Sequence, residues 1–197
     1  MKKEDILDLG SARSYYFGGE YDGGIYLMQN PEEMWEFINE MSGKLSVGGS
    51  YLEIGSAAGG SCYLLNKVFR FRRIVLVDDN SNEFCRYRKK VLRGIEREEI
   101  IGNSHSGEVL DRVRKLGEKF DLIFIDGDHS YEGVKQDFED YSEFLVPGGF
   151  IVLHDIMSQP GVMRYFQELI NGNGVDFYGV LLNKENRHCG IGIFRRN

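Results

Sequence analysis

Cysteine is scarce in this chain: Cys62, Cys85 and Cys189 are the only three among 197 residues, and they form no CxxC pair. A disulfide framework is excluded, and reduced thiols in a cytosol-like compartment are expected. An excess of positive charge is also missing. Lys plus Arg number 24 against 31 Asp plus Glu, a net charge of −7. Attraction to a polyphosphate needs the opposite sign, so no nucleic-acid partner is expected. The basic clusters Arg70, Arg72, Arg73 and Arg86, Arg88, Lys89, Lys90 read as solvated faces. No stretch approaches 18 apolar residues and the opening MKKEDILDLG has no apolar signal core. A soluble, cytoplasmic protein with no membrane partner is the expectation.

Hydrophobic residues make up 42% and aromatics 13%, a globular composition. A chain of this length is expected to fold as one unit that hides about 70% of its unfolded surface. From residue 51 onward short apolar runs alternate with amphipathic segments of helix length. The runs are Tyr51 to Ile54, Ile74 to Val77, Ile100 to Ile101, Leu122 to Ile125 and Phe150 to Leu153. Their brevity and β-branched content suit strands buried on both faces. Ser61 to Phe69, Asn82 to Gly94, Gly107 to Gly117, Tyr131 to Leu145 and Pro160 to Ile170 read as helices. Phe177 to Leu182 and Gly190 to Phe194 read as a closing hairpin. The expected fold is α/β: a doubly wound, Rossmann-like sheet, mostly parallel, with an antiparallel C-terminal hairpin.

Residues 1–50 form an N-terminal helical and lid segment ahead of a main domain at 51–197. Within it Asn30-Pro31-Glu32-Glu33 is a helix start, with Asn30 as cap and two acids at the positive end of the dipole. Met34, Phe37, Ile38 and Met41 give the buried stripe, and Trp35 reads as core. Tyr15 to Tyr26 mixes tyrosine with glycine and suits either a lid or an ordinary packed loop.

The first apolar run enters a glycine-rich turn, Tyr51-Leu52-Glu53-Ile54-Gly55-Ser56-Ala57-Ala58-Gly59-Gly60-Ser61. Such a turn lets a ligand approach backbone at the carboxyl edge of the sheet. No Lys-Ser or Lys-Thr follows, which excludes a P-loop, and Ala57 stands where a dinucleotide fingerprint needs its second glycine. Glu53 disfavours a phosphate and suits an ammonium or sulfonium. Asp78, 25 residues later, ends the next run where a carboxylate can accept both ribose hydroxyls; Asp79 beside it can take that role instead. The third run ends in Gly102-Asn103-Ser104, and Asn103 offers a carbonyl acceptor.

The densest chemistry lies further on. Phe124-Ile125-Asp126-Gly127-Asp128-His129-Ser130-Tyr131 is followed by Pro147-Gly148-Gly149 and by Leu153-His154-Asp155. Two successive buried strands thus deliver five ionisable groups to one sheet edge. His105 and His188 lie outside these motifs and read as surface or loop residues. Tyr131 suits packing at a helix start better than an acceptor pocket.

The E-I-G-x-x-x-G-x-S turn resembles motif I of class I S-adenosylmethionine-dependent methyltransferases. The stretch from F-I-D-G-D-H through P-G-G to H-D resembles the family of sugar and macrolide O-methyltransferases and cephalosporin-hydroxylase-like proteins, a likeness that covers roughly residues 50 to 195. The resemblance implies that Glu53, Gly55, Ser56, Gly59 and Ser61 hold the methionine end of S-adenosyl-L-methionine. By it Asp78 or Asp79 takes the ribose, and Asn103 with Ser104 the adenine. Asp126 and Asp155 would ligate a divalent metal, Mg²⁺ first, beside the cofactor, with His129 as general base. The family often has two adjacent carboxylates where His154-Asp155 stands. His154 is a better ligand for Zn²⁺, Mn²⁺ or Fe²⁺, or it orients Asp155 by a hydrogen bond.

The implied activity is metal-assisted O-methylation of a small-molecule or glycoside acceptor. An NAD-linked oxidoreductase and a noncatalytic cofactor-binding protein are the alternatives; Ala57 disfavours the first and the intact acids with His129 the second. Acceptor specificity is assigned to Tyr15 to Gln29 and the loop after Asp155. Association into a homo-oligomer stays open.

Overall fold

A computed structural model describes residues 2–7, 9, 24–172, 176–181 and 189–196. Most of the suggested lid, the turn of the closing hairpin and His188 lie outside the described residues. The chain opens with α1 (Lys3–Leu7) and α2 (Pro31–Met41). It then alternates: β1 (Ser50–Ile54), α3 (Gly60–Phe69), β2 (Arg73–Asp78), a 3₁₀ turn (Glu83–Tyr87), α4 (Arg88–Val91) and β3 (Glu98–Ile101). Next come α5 (Gly107–Lys115), β4 (Phe120–Ile125), α6 (Tyr131–Ser142), β5 (Leu145–His154), α7 (Pro160–Asn171), β6 (Asp176–Leu181) and β7 (Ile191–Arg195).

The seven strands form one sheet in the order β3-β2-β1-β4-β5-β7-β6. The first five are parallel and β7 runs antiparallel to both β5 and β6, as expected. All five residues of β1 are buried, because helices cover both faces. Alternate side chains serve two cores. Tyr51, Leu76, Leu122 and Phe124 join α2 and α3 on one face; Leu52, Ile54, Ile123 and Ile151 join α5, α6 and α7 on the other. The strand order reverses between β1 and β4, so the loops after them diverge and open a crevice at the carboxyl edge.

The start of α2 follows the sequence reading. Asn30 Oδ1 accepts from the N–H groups of Glu32 at 2.8 Å and Glu33 at 3.3 Å, and Pro31 takes the first position. Met34, Phe37, Ile38 and Met41 are buried, and Phe37 meets Phe124 edge-on at 6.0 Å. Trp35 is partly buried against the same core.

Three expectations are corrected. The segment 82–94 is not one helix: Asn82 caps a 3₁₀ turn, and a four-residue helix follows. There Arg88, expected on a solvated face, is 3% exposed. It pairs with Asp78 at 2.8 Å, which pulls the chain inward and interrupts the helix. The helix from Tyr131 ends at Ser142, because Leu145 already pairs with Phe120 in a β5 that also takes in Pro147-Gly148-Gly149.

Phe138 of α6 packs edge-to-face on Tyr165 of α7 at 5.8 Å and Phe194 of β7 at 5.6 Å, and is 4% exposed. Phe138→Ala is expected to cost about 3–5 kcal/mol of unfolding free energy, measured by urea denaturation.

Candidate active site

The crevice is a cavity of about 950 Å³, within the range of small-molecule sites. The Gly55 turn, the ends of β2 and β3, the Asp126 to His129 loop and His154-Asp155 all line it. The turn itself is held by its neighbours. Gly55 donates its N–H to Val77 O at 2.9 Å and has φ +81°, and a Cβ there would collide with the Asp126 carbonyl. Only glycine fits, and the close approach locks the two strand ends together. Ala57 also adopts φ +41°, an uncommon conformation for a residue with a Cβ, and donates its N–H to Asp78 Oδ2 at 2.8 Å.

Asp78 is the anchor of this turn. Its Oδ1 accepts from Asn80 N–H at 2.7 Å and pairs with Arg88. Arg88 also donates to Ala57 O at 2.7 Å and Asn80 Oδ1 at 3.0 Å. Burial works to raise the Asp78 carboxyl, but Arg88 and the two backbone donors outweigh it and hold it below its ordinary value. Asp79 is exposed, lines the cavity and accepts from Ser81 N–H through one oxygen. Asn103, exposed, and Ser104, half-buried, line the far end.

Glu53 does not line the cavity; it lies behind the turn, fully buried, and accepts from the Ser61 hydroxyl. Burial pushes its carboxyl up to about 8, so it is mostly uncharged at neutral pH. Gly59 caps α3 and is likewise outside the lining, whereas Ser56 and Ser61 belong to it.

Asp126 and Asp155 meet opposite the turn. Asp126 N–H donates to Ile54 O at 2.9 Å, which continues the sheet. Its Oδ2 accepts from Gln29 Nε2 at 2.6 Å. Its Oδ1 stands 3.2 Å from His129 Nε2 and 3.3 Å from His154 Nδ1. Asp155 Oδ2 is 3.5 Å from His129 Nε2, and its Oδ1 is 3.5 Å from His154 Nδ1 and accepts from Ser158 Oγ at 2.6 Å. Asp155 has φ +61°, a left-handed bend that turns the chain at the end of β5. Burial works to raise Asp126, yet His154 and His129 outweigh it and hold the carboxyl well below the usual range. The Asp126 hydrogen bond raises His129, against burial. Burial works to lower His154, and the two aspartates override it and push the imidazole well up.

Sequence reasoning placed Gln29 in the segment assigned to acceptor specificity but missed its hydrogen bond to Asp126, and it missed Arg88, hidden in a basic run. His105 is no surface bystander: it lines the cavity, 3.2 Å from the buried Asp137. Tyr131 lies outside the cavity, donates to Glu168 at 2.6 Å and has the Arg164 guanidinium over its ring at 4.0 Å.

Because the folded Glu53 binds its proton up to about pH 8 and an unfolded one only to about 4.5, stability falls as pH rises between those values. Glu53→Gln removes that loss. The variant is expected to gain on the parent chain by an order of a few kcal/mol from pH 5 to pH 9, read as the difference in Tm across pH; an unchanging difference would refute the assignment.

A curated relative, an uncharacterized protein of Acanthamoeba polyphaga mimivirus, is 29% identical over 130 residues, 61% of this chain and 59% of its own length. The chain thus spans less than two thirds of that relative. Among solved structures, the O-methyltransferase TomG of Streptomyces achromogenes in complex with SAM superposes with a TM-score of 0.69 at 15% identity, over 100% of this chain and 92% of that one. A putative caffeoyl-CoA O-methyltransferase from Staphylococcus aureus gives 0.70 at 18%, over 99% of each. The methyltransferase MycE of the mycinamycin pathway, in complex with Mg, SAH and mycinamycin VI, gives 0.60 at 19%, over 96% of this chain and 55% of that one. These likenesses bear on fold. The profile of the methyltransferase domain matches residues 52–156, from the middle of β1 to just past Asp155, and the chain belongs to that family.

Proposed function

We propose that the protein transfers a methyl group from S-adenosylmethionine to a hydroxyl of a small-molecule or glycoside acceptor, with His129 as base. The observation that carries this reading is the placement of His129 between Asp126 and Asp155, across one cavity from the Gly55 turn. The cavity and the glycine cradle fit a nucleoside-bearing cofactor, and TomG binds SAM in the same fold. When bound, that cofactor supplies a methyl group on a sulfonium, which a deprotonated oxygen takes up in line.

Asp78 is occupied by Ala57, Asn80 and Arg88, so Asp79 receives the ribose hydroxyls. Glu53, uncharged and buried, backs the turn through Ser61 and does not supply a carboxylate to the ligand. At the reacting end the His129 ring nitrogen not engaged by the carboxylates accepts the proton of the acceptor hydroxyl, and Asp126, 3.2 Å from Nε2, stabilises the imidazolium formed. Gln29 fixes the other oxygen of Asp126. Asp126 and Asp155 present hard oxygens on neighbouring strand ends and fit a divalent cation such as Mg²⁺, which would lower the pKa of the acceptor hydroxyl; the Mg in the MycE complex supports that reading. Tyr26, Met28 and Gln29, just ahead of α2, contribute part of the cavity wall. The reduced thiols of Cys62 and Cys85 suit a cytoplasmic setting.

Isothermal titration with S-adenosylhomocysteine is expected to give micromolar binding, weakened by roughly tenfold or more in Asp79→Ala, the loss of a charge-assisted hydrogen bond. No binding by the parent chain overturns the reading. With a hydroxyl acceptor, His129→Ala is expected to slow transfer by about 10²–10⁴-fold while the homocysteine analogue still binds, and EDTA to stop turnover until Mg²⁺ is restored.

A further inference from the structure

We infer a second metal site, on the far side of His154 from the aspartates, made by Glu33, His154 Nε2 and Cys189 Sγ and suited to Zn²⁺ or a similar transition ion. One donor atom from each of these residues lies within 4.8 Å of the others. Three separate elements deliver them. Glu33 stands in the first turn of α2, His154 at the end of β5, and Cys189 two residues before β7. The sheet sets the last two side by side, because Ile191 pairs with His154. Met157 N–H donates to Cys189 O at 2.7 Å.

The arrangement differs from an accidental cluster in its burial. Glu33 is 0% and His154 4% exposed. His154 Nε2 has no hydrogen-bond partner among the described residues, a costly state for a buried ring nitrogen. It faces Glu33 Oε2 at 3.9 Å. That is too long for a hydrogen bond and close to the separation of about 3.3–3.8 Å between donors bound to one tetrahedral ion at 2.0–2.3 Å. The backbone of Gly190 donates to the other oxygen of Glu33 at 3.0 Å, and the His154 ring packs on Phe124 at 6.2 Å. Both are the outer contacts that orient metal ligands.

The donors also select the ion. Thiolate and imidazole favour Zn²⁺, Co²⁺ or Fe²⁺ over Mg²⁺, so this site and the aspartate pair take different metals. A neutral imidazole has one lone pair. With Nε2 on the ion, Nδ1 carries the hydrogen and points it at Asp126 Oδ1, 3.3 Å away. The result is a carboxylate–histidine–metal relay. The ion would thereby tie α2 to the strand ends that carry the aspartates and set the tautomer that holds Asp126. His154 and Cys189 also line the cavity.

The inference stands on donor geometry and does not depend on the methyl-transfer reading. Its test is Co²⁺ titration of the metal-stripped full chain, followed by absorption. The expected result is one ion per chain with a near-ultraviolet thiolate-to-cobalt band that Zn²⁺ bleaches and excess Mg²⁺ leaves in place. Cys189→Ser should abolish the band and Cys85→Ser should keep it. Glu33→Gln, which preserves shape, should weaken binding by roughly tenfold or more. X-ray absorption of the zinc-loaded parent chain should find one sulfur at about 2.3 Å, a readout that survives a variant's failure to fold. A cobalt spectrum without sulfur ligation, or a band unaffected by Cys189→Ser, overturns the site and leaves His154 as a buried cation between Glu33 and the two aspartates. Homocysteine-analogue binding is measured separately, so a failure of either proposal is distinguishable from a failure of the other.

Discussion

The side chain and backbone of Asp126 together hold the reactive edge in place. Its N–H extends the β1–β4 pairing through Ile54 O, while its carbonyl sits where any side chain at residue 55 would be. Its carboxylate gathers Gln29 from the N-terminal segment, His129 from its own loop and His154 from the next strand. A buried carboxylate is tolerable only when donors or cations surround it. That requirement draws four parts of the chain to one point, and the same surroundings hold Asp126 ionised and raise both imidazoles.

A parallel constraint operates across the crevice. Asp78 and Arg88 are both almost fully buried and form a clamp on the backbone of Ala57 and Asn80. Loss of one partner would leave the other as an uncompensated buried charge, which is far more costly than loss of the pair. The clamp explains how a turn with a positive φ at Ala57 stays in one conformation. Of the two adjacent acids at the end of β2, both of which line the cavity, Asp78 is buried and held by the clamp and Asp79 is exposed.

Glu53 illustrates how burial changes the meaning of a residue type. As a carboxylate at a strand end it suggests a partner for a cationic ligand. In the fold it has no exposure and accepts a hydrogen bond from Ser61, so desolvation favours the protonated form. The motif is retained, yet most of the charge expected of a strand-end carboxylate is suppressed at neutral pH.

The sequence by itself determined the layered α/β architecture, because strands buried on both faces need continuous apolar runs and the helices between them need 3.6-residue stripes. It determined the cap of α2 and the family likeness through Gly55, Asp126, His129 and Asp155, since local turns and strand ends carry fixed residue patterns. It did not determine the breakup of the segment at 82–94, the inward turn of Arg88, the hydrogen bond from Gln29 to Asp126, or the entry of His105 into the cavity. Nor did it pair His154 with Glu33 and Cys189, residues separated by 156 positions at the extremes. Those outcomes rest on contacts between distant segments, where burial and the pairing of charge decide what a side chain does. Such terms depend on the surrounding volume, and that volume exists only once the sheet has assembled.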